Sequence, residues 1–204
     1  MTKNQTYIQN LQLEEVPWHR LTTAYGRASD FPEYFHTIWN MSNSAAVKKA
    51  LVEILYNIEH QSSLWHSTPF AMIFLVHIFE HAIPEIGKNT CADYIIEELL
   101  DFFECIADNC QEIEEMGHKE VPLPAFADML QEEYLWSEIY DEEEDDKRYE
   151  EGDLYPDDVF YSFWYYSYET LLFCKPLLKK LEDTPFHAKA AELEKMLSKT
   201  INNT

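Results

Sequence analysis

Apolar residues along most of this chain recur at steps of three and four, the spacing of one face of an α-helix. Between Ser44 and Gln61 they form one stripe, which predicts a helix with a single buried face: Val47, Leu51, Ile54, Leu55 and Ile58. From Asn89 to about Met116 the same period returns, with an apolar face of Ile96, Leu99, Leu100, Phe103, Ile106, Ala107 and Cys110. Alternating strand patterns are nearly absent, so the sequence predicts an all-α fold.

Helix starts are marked three times by a short polar residue just ahead of a proline, in Asp30-Phe-Pro, Thr68-Pro and Thr184-Pro. Pro176 predicts a kink or break near Cys174 in the sixth helix, because proline removes a backbone donor. Together these signals predict about seven helices: Asp30 to Asn40, Ser44 to Gln61, Thr68 to Ile83, Asn89 to about Met116, Pro124 to about Tyr140, Pro156 to about Leu181, and Thr184 to Ile201.

The first two helix pairs have a repeat-like spacing. Asp30 and Thr68 are 38 residues apart, close to the period of roughly 40 residues in HEAT and armadillo units. Residues from Trp18 to Pro32 form the motif W-x-x-L-x-x-x-Y-G-x-A-x-D-x-P, and Ser67-Thr-Pro69 follows the next long helix. Over about Pro17 to Phe79 the chain resembles the amino-terminal module of bacterial HEAT-like repeat proteins, some of them associated with toxin-immunity loci. The resemblance implies an α-solenoid of stacked helix hairpins and no particular chemistry.

The length of 204 residues and the hydrophobic share of 46% are typical of one domain with its own core. We expect a single α-helical domain over 1–204, with a HEAT-like repeat core at about 17–116, an acidic loop at about 140–155 and C-terminal helices at about 156–201. The longest apolar stretches are shorter than the roughly 20 residues that cross a bilayer. The first residues lack the apolar region of a signal peptide, so we expect a cytoplasmic location.

Negative charge is concentrated in one third of the chain. The net charge is −23, and residues 93–158 hold 25 acidic and 3 basic residues. Such a local field repels nucleic-acid phosphates and anionic membranes and attracts basic proteins. Within it, the run Asp141-Glu-Glu-Glu-Asp-Asp146 predicts a mobile acidic loop. A solvated acidic surface without a partner is the alternative interpretation.

Two sets of residues are candidates for binding a basic partner. On the long helix after Asn89, four carboxylates share one ridge with no base one turn away, an unfavourable arrangement by a few tenths of a kcal/mol per pair: Glu97, Asp101, Glu104 and Asp108. The second set is a tyrosine stripe bordered by carboxylates, a combination that can capture arginine and lysine: Asp157, Asp158, Tyr161, Tyr165 and Tyr168. Packing of the tyrosines against the acidic loop is the alternative.

The sharpest enzymatic signal is His77-Ile-Phe-Glu80-His81, which has the H-x-x-E-H order of inverzincin metalloproteases. No second helix supplies an obvious third zinc ligand. The four cysteines have no C-x-x-C spacing and are expected as free thiols: Cys91, Cys105, Cys110 and Cys174. Phosphate-binding and nucleophile-elbow motifs are absent from the sequence.

The sequence therefore predicts a non-enzymatic, protein-binding α-solenoid with an acidic groove and no cofactor. Its most concrete form is an immunity protein that occludes a basic toxin, with no direct nucleic-acid or membrane contact. Two alternatives stay open. One is a metal-dependent hydrolase that uses His77, Glu80 and His81, and the other is a structural acidic scaffold or oligomer subunit.

Overall fold

The computed structural model of the protein describes residues 1–115, 120–150 and 155–198. These residues contain two short antiparallel hairpins, β1 (Thr22–Thr23) with β2 (Gly26–Arg27) and β3 (Glu59–His60) with β4 (Ser63–Leu64). Helices dominate, which confirms the all-α prediction. The described residues form nine α-helices: α1 (Lys3–Asn10), α2 (Phe31–Asn40), α3 (Ser44–Ile58), α4 (Thr68–Ala82), α5 (Thr90–Glu115), α6 (Glu142–Glu150), α7 (Asp157–Leu171), α8 (Lys175–Leu178) and α9 (His187–Ser198).

Helix α4 is the centre of the core. Twelve of its 15 residues are buried, as expected for a helix that is apolar around its whole circumference. It contacts α2, α3, α5 and α7, while α2 also packs on α3, and α3 on α5. Helix α5 also packs against α7 and α9. The long helix α5 is thus enclosed by neighbours along its apolar face, and its acidic face points away from the core.

Helix α1 was not predicted, although its start has a recognisable signal. The Thr2 hydroxyl accepts a hydrogen bond from the Gln5 amide at 3.1 Å, and the Gln5 side chain accepts one from the Thr2 amide at 2.9 Å. This is the reciprocal capping box that Thr-x-x-Gln permits. Helix α3 also ends earlier than predicted, because Gln61 and Ser62 adopt φ values of 52° and 61° in the turn between β3 and β4.

The predicted helix from Pro124 to about Tyr140 is wrong. This segment contains a 3-10 turn at Phe126–Leu130 and is otherwise irregular. Its backbone donors bond to distant partners: the Phe126 amide donates to the Asn4 side-chain oxygen at 3.1 Å, and the Trp136 amide to the Arg20 carbonyl at 3.1 Å. Tertiary hydrogen bonds therefore replace the helical ladder.

The acidic run is a helix and not the predicted mobile loop. Residues Glu142–Glu150 form α6, and the Asp141 carboxylate accepts a hydrogen bond from the Glu144 amide at 3.1 Å. Acids in its first turn and Lys147 and Arg148 in its last turn match the polarity of the helix dipole. The remainder of the predicted loop at 151–154, and the predicted helix ends at Met116 and Ile201, lie outside the described residues.

Two smaller predictions are confirmed. The C-terminal helical region is interrupted where Pro176 predicts a break: α7 ends at Leu171, a 3-10 turn follows at Leu172–Cys174, and α8 begins at Lys175. The four cysteines are free thiols, three of them buried and Cys105 partly exposed.

Candidate partner-binding surface

The acidic ridge of α5 is largely exposed to solvent. Glu97, Asp101 and Asp108 are exposed, and Glu104 is half-buried. Burial raises the pKa of Glu104, and the Asp101, Glu192 and Asp108 carboxylates raise it further. Burial and the neighbouring negative charges therefore both oppose the ionisation of Glu104.

A lysine from another helix contacts the first half of this ridge. Lys189 of α9 places its Nζ 2.6 Å from an Asp101 carboxylate oxygen and 3.6 Å from one of Glu97. Its charge also opposes the rise in the pKa of Glu104. Helix α5 itself has no base one turn away from this ridge, and α9 supplies one from 88 residues along the chain.

The tyrosine stripe is less accessible than its sequence pattern indicates. Tyr161 is only 7% exposed, and Tyr165 and Tyr168 are half-buried against the core. The Tyr165 ring contacts Tyr166, with the two centroids 5.1 Å apart. The flanking Asp157 and Asp158 are exposed at the start of α7. Helices α5 and α7 pack together. The contact between Lys189 and Asp101 shows that α9 lies beside the acidic ridge.

A buried ion pair anchors α6 to the body of the protein. The Arg27 guanidinium donates from Nε and Nη2 to the two Asp145 carboxylate oxygens, each at 2.6 Å. These side chains are only 3% and 11% exposed. The remaining donors of Arg27 reach the Ser137 carbonyl at 2.6 Å and the His19 carbonyl at 3.0 Å. This two-pronged geometry fits an arginine and a carboxylate better than any lysine pair.

Aromatic rings complete the setting of Arg27. The centres of the Trp136 and Tyr140 rings each lie 5.4 Å from the guanidinium carbon, within the range of a cation–π contact. Arg148 of α6 lies 5.8 Å from the same Trp136 ring. Two arginines therefore contact one tryptophan, which ties α6 to the irregular segment before it.

A second arginine, Arg20, contacts the acidic residues that precede α6. Arg20 is largely buried and donates to the Glu132 carboxylate through both terminal nitrogens. The hydrogen bond from Arg20 lowers the pKa of Glu132. Next to it, His19 Nε2 lies 3.0 Å from a Glu138 carboxylate oxygen. Residues 19–27 thus supply the cationic side chains that attach residues 132–145, and neither arginine was singled out from the sequence.

The outward face of α6 retains much of its negative charge. We call this face the α6 acidic surface and define it by its exposed carboxylates: Asp141, Glu142, Glu143, Glu144 and Asp146. Lys147 pairs with Glu143 at 3.1 Å and with Glu144 at 3.5 Å. Pairs between exposed side chains contribute little, so the surface remains strongly acidic.

The H-x-x-E-H segment of α4 is engaged in other contacts. The His81 ring stacks on Trp39 with centroids 3.9 Å apart and planes within 3°. The Glu80 carboxylate pairs with Lys180 at 3.0 Å. Burial lowers the pKa of the half-buried His77. Across the described residues no three histidine, cysteine or acidic side chains gather where they could hold a metal ion, so the hydrolase alternative gains no third ligand.

Comparison with known proteins finds no match: no protein family, no curated protein and no solved structure is detectably similar to this chain. Within the described ranges no helix is both long enough and apolar enough to cross a membrane. The fold defines this chain as an all-α protein.

Proposed function

We propose that this protein binds a basic protein partner through the α6 acidic surface, with the α5 ridge as a second region of attraction. The proposal depends mainly on the buried Arg27–Asp145 pair, which attaches α6 to the body through a single carboxylate while the carboxylates of the α6 acidic surface are exposed. Charges on an anchored helix lose little conformational freedom when a partner binds. They therefore act as a receptor surface and not merely as a solubilising shell.

The arrangement of the first helices supports a solenoid-like scaffold for this surface. Helices α2 and α3 form one hairpin and α4 and α5 the next, with α2 against α4 and α3 against α5. First helices packed on first helices, and second on second, are the stacking order of HEAT-like hairpins. This order favours the solenoid that the sequence resemblance implies for about residues 17–116.

The chemistry of the surface favours lysine- and arginine-rich proteins over other partners. A concentrated negative field speeds the encounter with a basic surface and repels phosphate backbones. The concrete form of the proposal is an immunity protein that occludes the basic cleft of a toxin, for instance a nuclease. It rests on the HEAT-like resemblance and on the placement of charge.

Affinity capture from a lysate of the source cell tests the proposal. The wash contains about 0.5 M salt, where the Debye length is about 4 Å and loose electrostatic binding is lost. We expect the wild-type protein to retain one basic protein. A variant with Glu142→Gln, Glu144→Gln and Asp146→Asn is expected to bind that protein at least about tenfold more slowly, since steering depends on local charge.

A control variant removes the same charge elsewhere, with Glu33→Gln, Glu182→Gln and Asp183→Asn at exposed positions outside residues 93–158. It should bind at nearly the wild-type rate. Equal rates for the two triple variants would contradict the role of α6. Capture that disappears entirely at high salt would favour the acidic scaffold instead. Glu104→Gln with Asp108→Asn then tests the α5 ridge without breaking the contacts of Lys189.

A further inference from the structure

Two exposed tyrosines form a stacked pair where the β1–β2 hairpin meets the end of α3. Tyr25 and Tyr56 are 56% and 54% exposed, and their rings stack with centroids 5.0 Å apart and planes within 8°. The Tyr25 hydroxyl donates to the Tyr56 hydroxyl at 2.8 Å and lies 3.1 Å from Nε2 of His60. We call Tyr25, Tyr56 and His60 the aromatic patch. Its contacts hold both rings in place while more than half of each tyrosine meets solvent.

Hydrogen bonds also fix the hairpin against α3. The Ala24 amide donates to the Asn57 carbonyl at 2.9 Å, and the Thr23 hydroxyl donates to the Asn57 side-chain oxygen at 3.0 Å. Side chains that are ordered before binding lose little conformational entropy when a partner covers them. Tyrosine is also enriched among the residues that dominate binding energy, because it offers a large contact area with few rotatable bonds. The aromatic patch therefore has the properties of a binding hot spot.

The hairpin connects the aromatic patch with the α6 acidic surface. Arg27 follows Tyr25 by two residues, a separation of at most about 7 Å along the backbone, and it makes the buried ion pair with Asp145 of α6. A protein interface of standard size covers about 800 Å² on each partner. A partner that covers the aromatic patch therefore also reaches the exposed carboxylates of α6.

The aromatic patch also approaches the second half of the α5 ridge. Glu59, next to His60, places a carboxylate oxygen 3.4 Å from the Asn109 side-chain nitrogen, and Asn109 follows Asp108 of the ridge. Burial, and after it the Glu59 and Asp108 carboxylates, raises the pKa of Cys105 to about 11. These two carboxylates thus lie near the same thiol. The aromatic patch has carboxylates from α6 and from α5 in its surroundings.

The two lysines of α3 lie away from the aromatic patch. Lys48 and Lys49 precede Tyr56 by eight and seven residues, which is about 11 Å along the helix axis. Lys48 is also engaged elsewhere, since its Nζ lies 4.7 Å from the centroid of the Tyr94 ring of α5. The basic end of α3 is therefore separate from its aromatic end.

From this combination we infer that the aromatic patch receives an arginine side chain of the basic protein partner. The guanidinium group stacks on the exposed tyrosine rings, and the nearby carboxylates bind the partner's other basic side chains. Arginine fits better than lysine, because its guanidinium is planar, stacks on aromatic faces and is more weakly hydrated than an ammonium group. The inference rests on the proposed function, since it takes the partner to be the basic protein that the α6 acidic surface attracts.

Titration with hexa-arginine and hexa-lysine tests the inference with two probes of equal charge. Binding is followed by protein-detected NMR at about 0.15 M salt, where the Debye length is about 8 Å. We expect saturable shifts of the Gly26 and Tyr56 amides with hexa-arginine. Its affinity should exceed that of hexa-lysine by about two- to fivefold, as a cation–π contact at an exposed site implies.

A double variant, Tyr25→Leu with Tyr56→Leu, keeps apolar side chains at both exposed positions and removes the aromatic faces. We expect it to lose most of the preference for hexa-arginine. Tyr56→Phe keeps the ring and should retain the preference. Trp39→Leu is the matched control, since Trp39 is 45% exposed and stacks on His81 of α4 instead of the aromatic patch. It should also bind hexa-arginine more tightly than hexa-lysine.

Two results would overturn the inference. One is the absence of saturable shifts at the Gly26 and Tyr56 amides, and the other is an undiminished preference for hexa-arginine in the double leucine variant. The triple α6 variant separates the inference from the proposed function. It should bind both peptides more weakly by a similar factor and keep the preference. If it bound both as tightly as wild type while the double leucine variant lost the preference, the role of α6 would be contradicted and the inference would stand.

Discussion

At the scale of single residues, His66 is a fully buried histidine with a polar contact at each ring nitrogen. It is fully buried just before α4, its Nε2 lies 2.8 Å from the Met129 carbonyl oxygen, and its Nδ1 lies 3.3 Å from the Tyr155 hydroxyl. Tyr155 in turn lies 3.2 Å from the Thr22 hydroxyl. His66 thus joins three distant segments through hydrogen bonds, and no sequence motif marks it.

The pH dependence of stability should report the state of His66. The pKa of His66 is lowered from 6.5 to about 4, mainly by burial; the hydrogen bond with Met129 opposes this change, and the charge of Arg148 adds to it. Between about pH 4 and 6.5 the unfolded chain therefore binds more protons at His66 than the folded protein does. The contribution of neutral His66 to the free energy of unfolding is complete above pH 6.5 and is lost as the pH falls through that window. Between about pH 7 and 5 the loss is about 2 kcal/mol.

Urea unfolding of the wild-type protein and His66→Gln at both pH values measures this effect. Glutamine does not titrate, so the variant's free energy of unfolding is expected to fall by about 2 kcal/mol less than that of the wild type over the same interval. The carboxylates titrate in both proteins and cancel in the comparison. Parallel pH curves for the two proteins would contradict the assigned role of His66.

At the scale of secondary-structure elements, the helices with a clear apolar or proline signal in their own sequence were predicted, and the elements held by distant residues were not. Helices α3 and α5 were found because their apolar positions repeat along one face, and α2 and α4 were found from the polar residue and the proline at their starts. The segment 124–140 was wrongly predicted as a helix because two of its amides bond to Arg20 and Asn4, far away in sequence. Helix α6 was missed because it has almost no apolar residues and is attached by the Arg27–Asp145 ion pair and by Arg148, which contacts Trp136.

Loss of that ion pair should release α6. We expect Asp145→Asn to lower the free energy of unfolding by about 3 kcal/mol, because it leaves the Arg27 charge buried without its counter-charge. Hydrogen exchange of the α6 amides should accelerate more than that of α4. The neighbouring exposed position provides the control, since Asp146→Asn should change stability by less than about 0.5 kcal/mol. Similar exchange rates in the two variants would show that other contacts hold α6.

At the scale of the whole molecule, the net charge of −23 is only partly compensated within the fold. Lys189 reaches the α5 ridge, and Arg20 and Arg27 reach the segment before α6 and α6 itself. The outer carboxylates of α6 and the second half of the ridge remain on the surface. Mutual repulsion of such charges opposes compaction of the chain.

The thermal stability of the protein should therefore rise with salt. Between about 0.01 M and 0.15 M salt the Debye length falls from about 30 Å to about 8 Å, which screens the repulsion among exposed carboxylates. Differential scanning calorimetry is expected to give a higher melting temperature at the higher salt concentration. The triple α6 variant should show a smaller rise than wild type. A melting temperature that falls with salt would mean that the internal ion pairs outweigh the repulsion.

What the sequence by itself determined was local: the helical class, the starts of α2 and α4, the break near Cys174 and the separate apolar and acidic faces of α5. Each depends on residues within about one or two helical turns of one another. Only the tertiary structure decided which charges are paired. Lys189 and Asp101 are 88 residues apart, and Arg27 and Asp145 are 118 apart. Ion pairing depends on distance in space, which spacing along a single chain does not specify.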